Sequence, residues 1–391
     1  MKRLLLIIGI ILFVCAPVHA KRTLRGPIYI SGEGTSPFSL RDWNTMNGVS
    51  DGDGTEGDPF IITGFEIDAT GYEYAIKIED ADYFFELSDL EVYDATKGDN
   101  GSGIFIDNCD NATIDDVYSH HNDYGCQLTY LTTATVTGSD FNSNLNSGLF
   151  LNSVTSSTVY NTDFHYNTLA GIELNNSGST SSNGNSFSAV DAYDNRQSFF
   201  LNGSDYNEFD GCCSYEATRD GLTMQDSHYN YFSILIQDSE DGGVVMYLSD
   251  YNEFEDCTID NNGYREGYGA STHGFFLDHS SYNEIHDCTL TDNNEYAVFV
   301  DDDDSDGNRI FYNNITGNND GGTQAWDSAE AGQTEWFDDT VPGYCGIGNY
   351  WGSCSSINTF CYYYSKLFCI YDYQIDGWAN SEDEWPVPSA F

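Results

Sequence analysis

A segment of about 22 to 23 residues recurs nine times between residues 101 and 320. It is plainest in SGIFID at Ser102, YGCQLT at Tyr124, SGLFLN at Ser147, AGIELN at Ala170, DGLTMQ at Asp220 and HGFFLD at His273. The second position of successive units is Gly103, Gly125, Gly148, Gly171, Ser198, Gly221, Gly243, Gly274 and Ala297. A unit this short cannot bury an apolar face by itself. It must stack on its neighbours, which restricts the chain to a solenoid.

Within each unit the apolar residues alternate with period two, as in a strand with one face turned inward. One place after the glycine position stand Ile104, Cys126, Leu149, Ile172, Phe199, Leu222, Val244, Phe275 and Val298. Three places after it stand Ile106, Leu128, Leu151, Leu174, Leu201, Met224, Met246, Leu277 and Val300. A third column, Ile114, Val136, Val159, Phe187, Phe209, Phe232, Phe254, Ile285 and Ile310, marks a second strand. Two residues before it come Asn185, Asn207, Asn230, Asn252, Asn283 and Asn308, with Ala112, Ala134 and Ser157 in the earlier units. Asparagines in register can hydrogen bond from rung to rung, which satisfies amides that are costly to bury. Asparagine also tolerates the left-handed backbone of a tight corner. Short strands repeated in one direction pair in parallel, and parallel crossovers are right-handed.

The expected fold is all-β, a right-handed parallel β-helix solenoid of about nine to eleven rungs with a cap at each end. At about 4.8 Å per rung the nine repeats alone make a rod on the order of 40 Å long. Residues 1–20 read as a signal peptide, with Lys2 and Arg3 before an apolar run from Leu4 to Val14 and a small-residue site ending at Ala20. Residues 21–73 read as an N-terminal cap with the first strands, 74–320 as the helix repeats, and 321–391 as a C-terminal cap rich in Cys, Tyr and Trp. Cleavage after Ala20, an uncleaved anchor and a lipid anchor at Cys15 are the alternatives for the first segment.

Several stretches also carry a family resemblance. These are PIYISGEGTSPFSLRDWNTMNGVSDGDGTEGDPFIITGFEIDAT, the rungs SDYNEFEDCTI and SSYNEIHDCTL, and a carboxy-terminal stretch with GNYW and IDG elements. Together they resemble the NosD-like family of archaeal type, a branch of the carbohydrate-binding and sugar-hydrolase β-helix superfamily. The resemblance covers residues 27 to 388. It implies the fold and an association with carbohydrate, and it raises copper, because founding members serve a copper enzyme. It implies no particular reaction, since one fold hosts many functions.

The formal net charge of −50 repels nucleic acid and anionic membranes, so neither is an expected partner, and no segment beyond the first is expected to cross a bilayer. Solubility in a salty medium is one reading of that charge, and calcium binding is another. The calcium candidates are Asp301, Asp302, Asp303, Asp304 and Asp306, which fall at a corner, and the DGDGTEGD run from Asp51. Neither has EF-hand spacing. For copper, His120 and His121 are adjacent and His165 lies two rungs on, whereas His273, His279 and His286 fall at different points around one rung. Cys126, Cys257 and Cys288 read as core, while Cys345, Cys354, Cys361 and Cys369 read as disulfides of unknown pairing.

The remaining signals point to a glycan. Outward positions two places after the glycine include Phe105, Phe150, Phe200, Phe276 and Phe299, a stripe on which sugar rings could stack unless the C-terminal segment or a second subunit covers it. Beside it, the corner before the strand gathers Arg196 and Arg219, with Tyr264, Arg265 and Tyr268 in the longest insertion. Arginines there fit the carboxylate of a uronic acid, or pair with aspartates such as Asp241. Paired carboxylates for glycosidase chemistry occur everywhere among 63 acidic residues and carry no information. For a lyase, Arg265 or His273 with calcium could serve, but the Asp278–His279 pair lacks the neighbours of an epimerase motif. The sequence therefore predicts a secreted or cell-surface β-helix that binds polysaccharide or belongs to the envelope, without assigned catalysis. The alternatives are a polyuronate lyase, epimerase or glycoside hydrolase, and a copper accessory protein.

Overall fold

The computed structural model describes residues 22–31, 43–98, 100–176, 182–264, 272–301, 304–321 and 323–328, with Thr334, Trp336 and the backbone of short strands up to residue 383. Two large sheets run the length of the molecule. The first has twelve strands in sequential order, from Ile28–Ser31 to Ala325–Asp327. The second has nineteen, parallel except where Val49–Asp51 pairs antiparallel with Phe60–Thr63 near the N-terminal end. The chain coils right-handedly through about ten turns. Nine strands of the first sheet are the sequence repeats, and the others, Ile28–Ser31, Tyr74–Glu79 and Ala325–Asp327, lie outside the repeat at either end.

Register follows the apolar columns. Cys126 pairs with Ile104 and Leu149, Phe199 with Ile172 and Leu222, and Phe275 with Val244 and Val298. All of these side chains are buried. In the third column Phe187, Phe209, Phe232 and Phe254 stack with centroids 4.3, 5.2 and 4.8 Å apart and planes within 18°. Each such ring contributes about 1.5–3 kcal/mol by burial. The second-sheet strands bend at left-handed residues, so that each turn has three straight sides. Asp256 at φ 53° separates Glu253–Glu255 from Thr258–Asp260, and Ala189 at φ 48° bends Ser186–Tyr193. The glycine column is required by close stacking. A Cβ on Gly148 would lie 2.9 Å from the Gly171 carbonyl and from Asn167 Nδ2.

The asparagine column forms a continuous ladder. Asn185, Asn207, Asn230, Asn252 and Asn283 each donate Nδ2 to the Oδ1 of the next asparagine at 3.0–3.1 Å. Each also donates its backbone N–H to the same oxygen at 2.9–3.1 Å. Every member is buried. A second ladder, which the repeat did not reveal, runs up another corner from Asn122 through Asn144 and Asn167 to Asn195. It is interrupted at Ala217 and resumes at Asn262, Asn293, Asn318 and Gln324. Serines do the same work at a third place, Ser204, Ser227, Ser249, Ser280 and Ser305.

Immediately before four ladder asparagines stand Tyr206, Tyr229, Tyr251 and Tyr282, all at φ 57° and all exposed, with rings 4.9–5.0 Å apart and planes within 8°. Cys126, Cys257 and Cys288 are buried as expected, and Cys257 N–H points at Cys288 Sγ, 3.4 Å away. Residues 1–20, expected to be a signal peptide, and the side chains of Cys345, Cys354, Cys361 and Cys369 lie outside the described residues. Among the described residues no helix is long and apolar enough to cross a membrane.

Candidate functional site

The outer face of the first sheet carries the predicted stripe, in register but discontinuous. Phe105, Phe150 and Phe200 alternate with Gln127 and Glu173, which are buried between the larger side chains. Thr223 and Val245 follow, also buried. Contiguous aromatics occur at the C-terminal end, where Phe276, Phe299 and Trp326 occupy successive rungs. Their centroids are 5.8 and 6.1 Å apart, with interplanar angles of 17° and 9°.

The five phenylalanines are half-buried rather than exposed as the sequence implied. Rings from the preceding corner lean onto them. Tyr74 lies 4.8 Å from Phe105 and Tyr124 lies 5.4 Å from Phe150, while Tyr247, at the far end of the neighbouring strand, lies 5.9 Å from Phe276. His273 stacks on Phe299 at 4.6 Å and 3°, and Tyr296 sits 5.6 Å from the same ring. The result is one compact aromatic cluster of His273, Phe276, Tyr296, Phe299 and Trp326. Trp326 was missed because it follows the last repeat. Its signal was one more apolar–aromatic pair, Ala325–Trp326, in register with Val298–Phe299.

Beside the cluster lies a buried polar network. Asp220 is 2% exposed. Its Oδ1 accepts from Gly242 N–H at 3.0 Å, and its Oδ2 accepts from Thr223 Oγ1 at 3.2 Å and faces Arg219 Nε at 3.3 Å. Gln197 Nε2 in turn donates to Thr223 Oγ1 at 2.5 Å. Burial pushes the Asp220 carboxyl up to about 6, reinforced by Asp241 and opposed by Arg219 and by the hydrogen bonds. Asp241 is buried too, and its Oδ1 has no hydrogen-bond partner among the described residues. Glu173 accepts from Ser147 Oγ at 2.6 Å, and burial raises its pKa.

His273 has two contacts at one nitrogen. Tyr296 N–H points at Nδ1 from 3.4 Å, and Glu295 Oε2 lies 3.3 Å from the same atom. An Nδ1 that accepts from Tyr296 cannot also donate to Glu295. Burial holds this imidazole neutral, with its pKa down to about 4, which favours the bond from Tyr296 and leaves the proton on Nε2. Asp220 and His273 stand at equivalent places two rungs apart, so their backbones are separated by about 9 to 10 Å. Both are titratable groups with perturbed pKa values, yet both are sealed from solvent.

In the basic corner Arg196 is exposed, and Arg219 pairs with a nearby aspartate, as one of the two expectations had it, the partner being Asp220 rather than Asp241. Tyr264 lines a recess with Asp194, Glu216, Asp238 and Glu240, whose charges raise its pKa after burial does. The described part of this corner is thus acidic, because the left-handed corner positions Asp194, Glu216 and Asp238 bring carboxylates together there. Arg265 and Tyr268 lie outside the described residues, as do Asp302 and Asp303.

Asp301, Asp304 and Asp306 do not bring three ligand atoms together. Among the described residues, three-ligand groups occur on the second sheet instead, around His286. The DGDGTEGD turn closes on itself, with Gly54 N–H bound to Asp58 O and Thr55 Oγ1 to Asp53. His120 and His121 approach with Nδ1 atoms 2.7 Å apart, and Glu91 Oε1 lies 3.4 Å from the other nitrogen of His120, but the three do not form a group with mutually close ligand atoms.

A family profile described as "Right handed beta helix region" matches residues 49–193 and 183–334. No curated protein sequence matches the chain. Among solved structures, the A-module of mannuronan C-5 epimerase AlgE6 from Azotobacter vinelandii is similar, with a TM-score of 0.56 and 15% identity over 80% of this chain and 88% of that one. The A-module of mannuronan C-5 epimerase AlgE4 from the same organism has a TM-score of 0.50 and 13% identity over 80% of this chain and 89% of that one. At these identities the likeness is one of fold. By its rungs, its register and its profile, this chain belongs to the right-handed β-helix family.

Proposed function

We propose that this protein is a secreted or cell-surface β-helix of NosD-like, archaeal type, which holds a polysaccharide along the outer face of the first sheet. The observation that carries the reading is the aromatic cluster Phe276, Phe299 and Trp326, on three successive rungs with nearly parallel rings. A chain of sugar rings has a similar repeat, and stacking on aromatic faces adds to its burial. The fold-mates named as mannuronan epimerases act on a polysaccharide, which agrees with this use of the fold. Arg219 is already paired with Asp220, so an acidic glycan gains little from it, and a neutral glycan fits this face better. Affinity electrophoresis through gels loaded with neutral or acidic polysaccharides tests the proposal. Retardation that Phe299→Ala and Trp326→Ala abolish supports it. Equal mobility of wild type and variants in every gel overturns it.

A second reading, catalysis, is favoured by Asp220, whose pKa of about 6 suits a general acid or base. Against it, Asp220 and His273 are 2% and 6% exposed, so a substrate could not touch either without movement. Incubation with polyuronates, with and without calcium, and with whichever neutral glycan retards the protein, decides between the two. New unsaturated ends or released sugars would establish an enzyme, and unchanged polymer leaves binding as the function.

A further inference from the structure

We propose that Glu253, Glu284 and His286, on the outer face of the second sheet, form a binding site for a divalent transition-metal ion such as Zn²⁺. The site follows from strand geometry. Glu253–Glu255 and Glu284–His286 are neighbouring parallel strands, with Glu253 opposite Glu284 and Glu255 opposite His286. Residues two apart on a strand share a face, so three ligand-bearing side chains converge there. One ligand atom from each of Glu253, Glu284 and His286 lies within 4.8 Å of the others. His286 Nε2 is 3.2 Å from Glu253 Oε1. Two ligand atoms on a tetrahedral ion with bonds of about 2.0–2.1 Å stand about 3.3 Å apart, so these two already have the spacing of a shared ion.

The surroundings orient the imidazole as they do at metal centres. Asp287 Oδ2 lies 3.0 Å from His286 Nδ1, which holds the ring with Nε2 directed at Glu253. Phe311 stacks on the ring at 4.9 Å and 12°, and the histidine is buried while Glu253 reaches solvent. The 3.2 Å contact between Nε2 and the Glu253 carboxylate requires either a proton on Nε2 or a cation held between the two atoms. Arg309 Nη1 donates to Glu284 Oε1 at 2.7 Å, leaving the second oxygen of that carboxylate for the ion. Glu255, which forms a second three-ligand group with His286 and Asp287, already accepts from Tyr231 Oη at 3.0 Å. An imidazole ligand selects a borderline metal over calcium, which takes oxygens. The ion would tie one rung to the next.

The competing description is metal-free, an imidazolium donating both N–H groups to Glu253 and Asp287. Titration of tag-free, full-length protein with Co²⁺, followed by visible d–d absorption and by Zn²⁺ displacement, separates the two. The expected result is saturable binding that His286→Gln abolishes. Asp287→Asn weakens it by about 10–100-fold, and excess Ca²⁺ does not reverse it. If His286→Gln fails to fold, Glu253→Gln at the exposed edge carries the test, with at least a tenfold loss expected. Binding unchanged in these variants, displacement by equimolar Ca²⁺, or nitrogen-15 shifts showing both His286 nitrogens protonated at saturating Zn²⁺ would overturn the proposal.

Discussion

Replacing Asn252 tests the ladder that holds the corner of the helix. Its Oδ1 accepts from Asn230 N–H at 2.9 Å and from Asn230 Nδ2 at 3.1 Å. Its Nδ2 donates to Asn283 Oδ1, Ser227 O and Asp250 O at 3.0–3.1 Å. In Asn252→Ala the Asn230 backbone N–H loses its acceptor in a buried site, at about 1–3 kcal/mol, and the other bonds are lost at about 1 kcal/mol each where a second partner remains. Asn230 Nδ2 keeps Ser204 O, and Asn283 Oδ1 keeps the backbone N–H of residue 252. With the Ser227 and Asp250 carbonyls also losing their donor, the five bonds sum to about 5–7 kcal/mol.

The ordering of substitutions is sharper than that magnitude. Asn252→Ser should cost least, because the ladder already accepts a serine at Ser157, whose Oγ takes Ala134 N–H at 2.9 Å. Asn252→Asp should cost most, because it sets a buried carboxylate oxygen against Asn283 Oδ1, Ser227 O and Asp250 O. Urea unfolding measures the series, and amide hydrogen exchange at Asn230 reports the orphaned donor directly. An aspartate no worse than alanine, or an Asn230 amide with undiminished protection in Asn252→Ala, would refute this account.

Other consequences can be measured on the same protein. Phe232→Ala, which removes a ring from the middle of the phenylalanine stack, should cost about 3–5 kcal/mol in the same unfolding assay. Asp220 has its folded pKa raised from 3.8 to about 6, so the native state holds the proton more tightly than the unfolded one. Its contribution to stability is thus present below about pH 4 and declines as pH rises to about 6, by about 3 kcal/mol, and Asp220→Asn should remove that decline from the difference between the two pH–stability curves. His273 has its folded pKa lowered from 6.5 to about 4, so stability should fall as pH drops from about 6.5 toward 4, a slope that His273→Gln should flatten. With a net charge of −50, added salt should raise the melting temperature by screening self-repulsion, which a calorimetric series in NaCl reads.

How much of this was legible depended on spacing. The two apolar columns of the first sheet keep one offset from unit to unit, and the first asparagine ladder stays two residues before the third column, so the register from Ile104 to Val300 could be read from the chain. The second ladder was hidden because its offset wavers. Asn122 is three residues before Gly125, and Asn144 four before Gly148, since the corner absorbs an extra residue without moving the amide. The stacked tyrosines stood in plain sight beside the ladder asparagines, but nothing in the pattern says that bulky residues at positive φ will lie flat on one another.

The site was harder to read. Alternation told which way Phe276 and Phe299 point, but not that His273 and Tyr296 would lean over them, because the corner bends residues of the opposite parity onto the same face. Among 63 acidic residues nothing distinguishes Asp220 as one of the few that are buried. Its burial comes from the rungs on either side, through Thr223 and Gly242.

The most direct test of the glycan-binding reading is a crystal structure of the protein with a bound oligosaccharide taken from whichever polysaccharide retards it. The account predicts sugar rings lying across Phe276, Phe299 and Trp326 on the first sheet. A saccharide seated on the second sheet or along the tyrosine column, with the cluster bare, would contradict it.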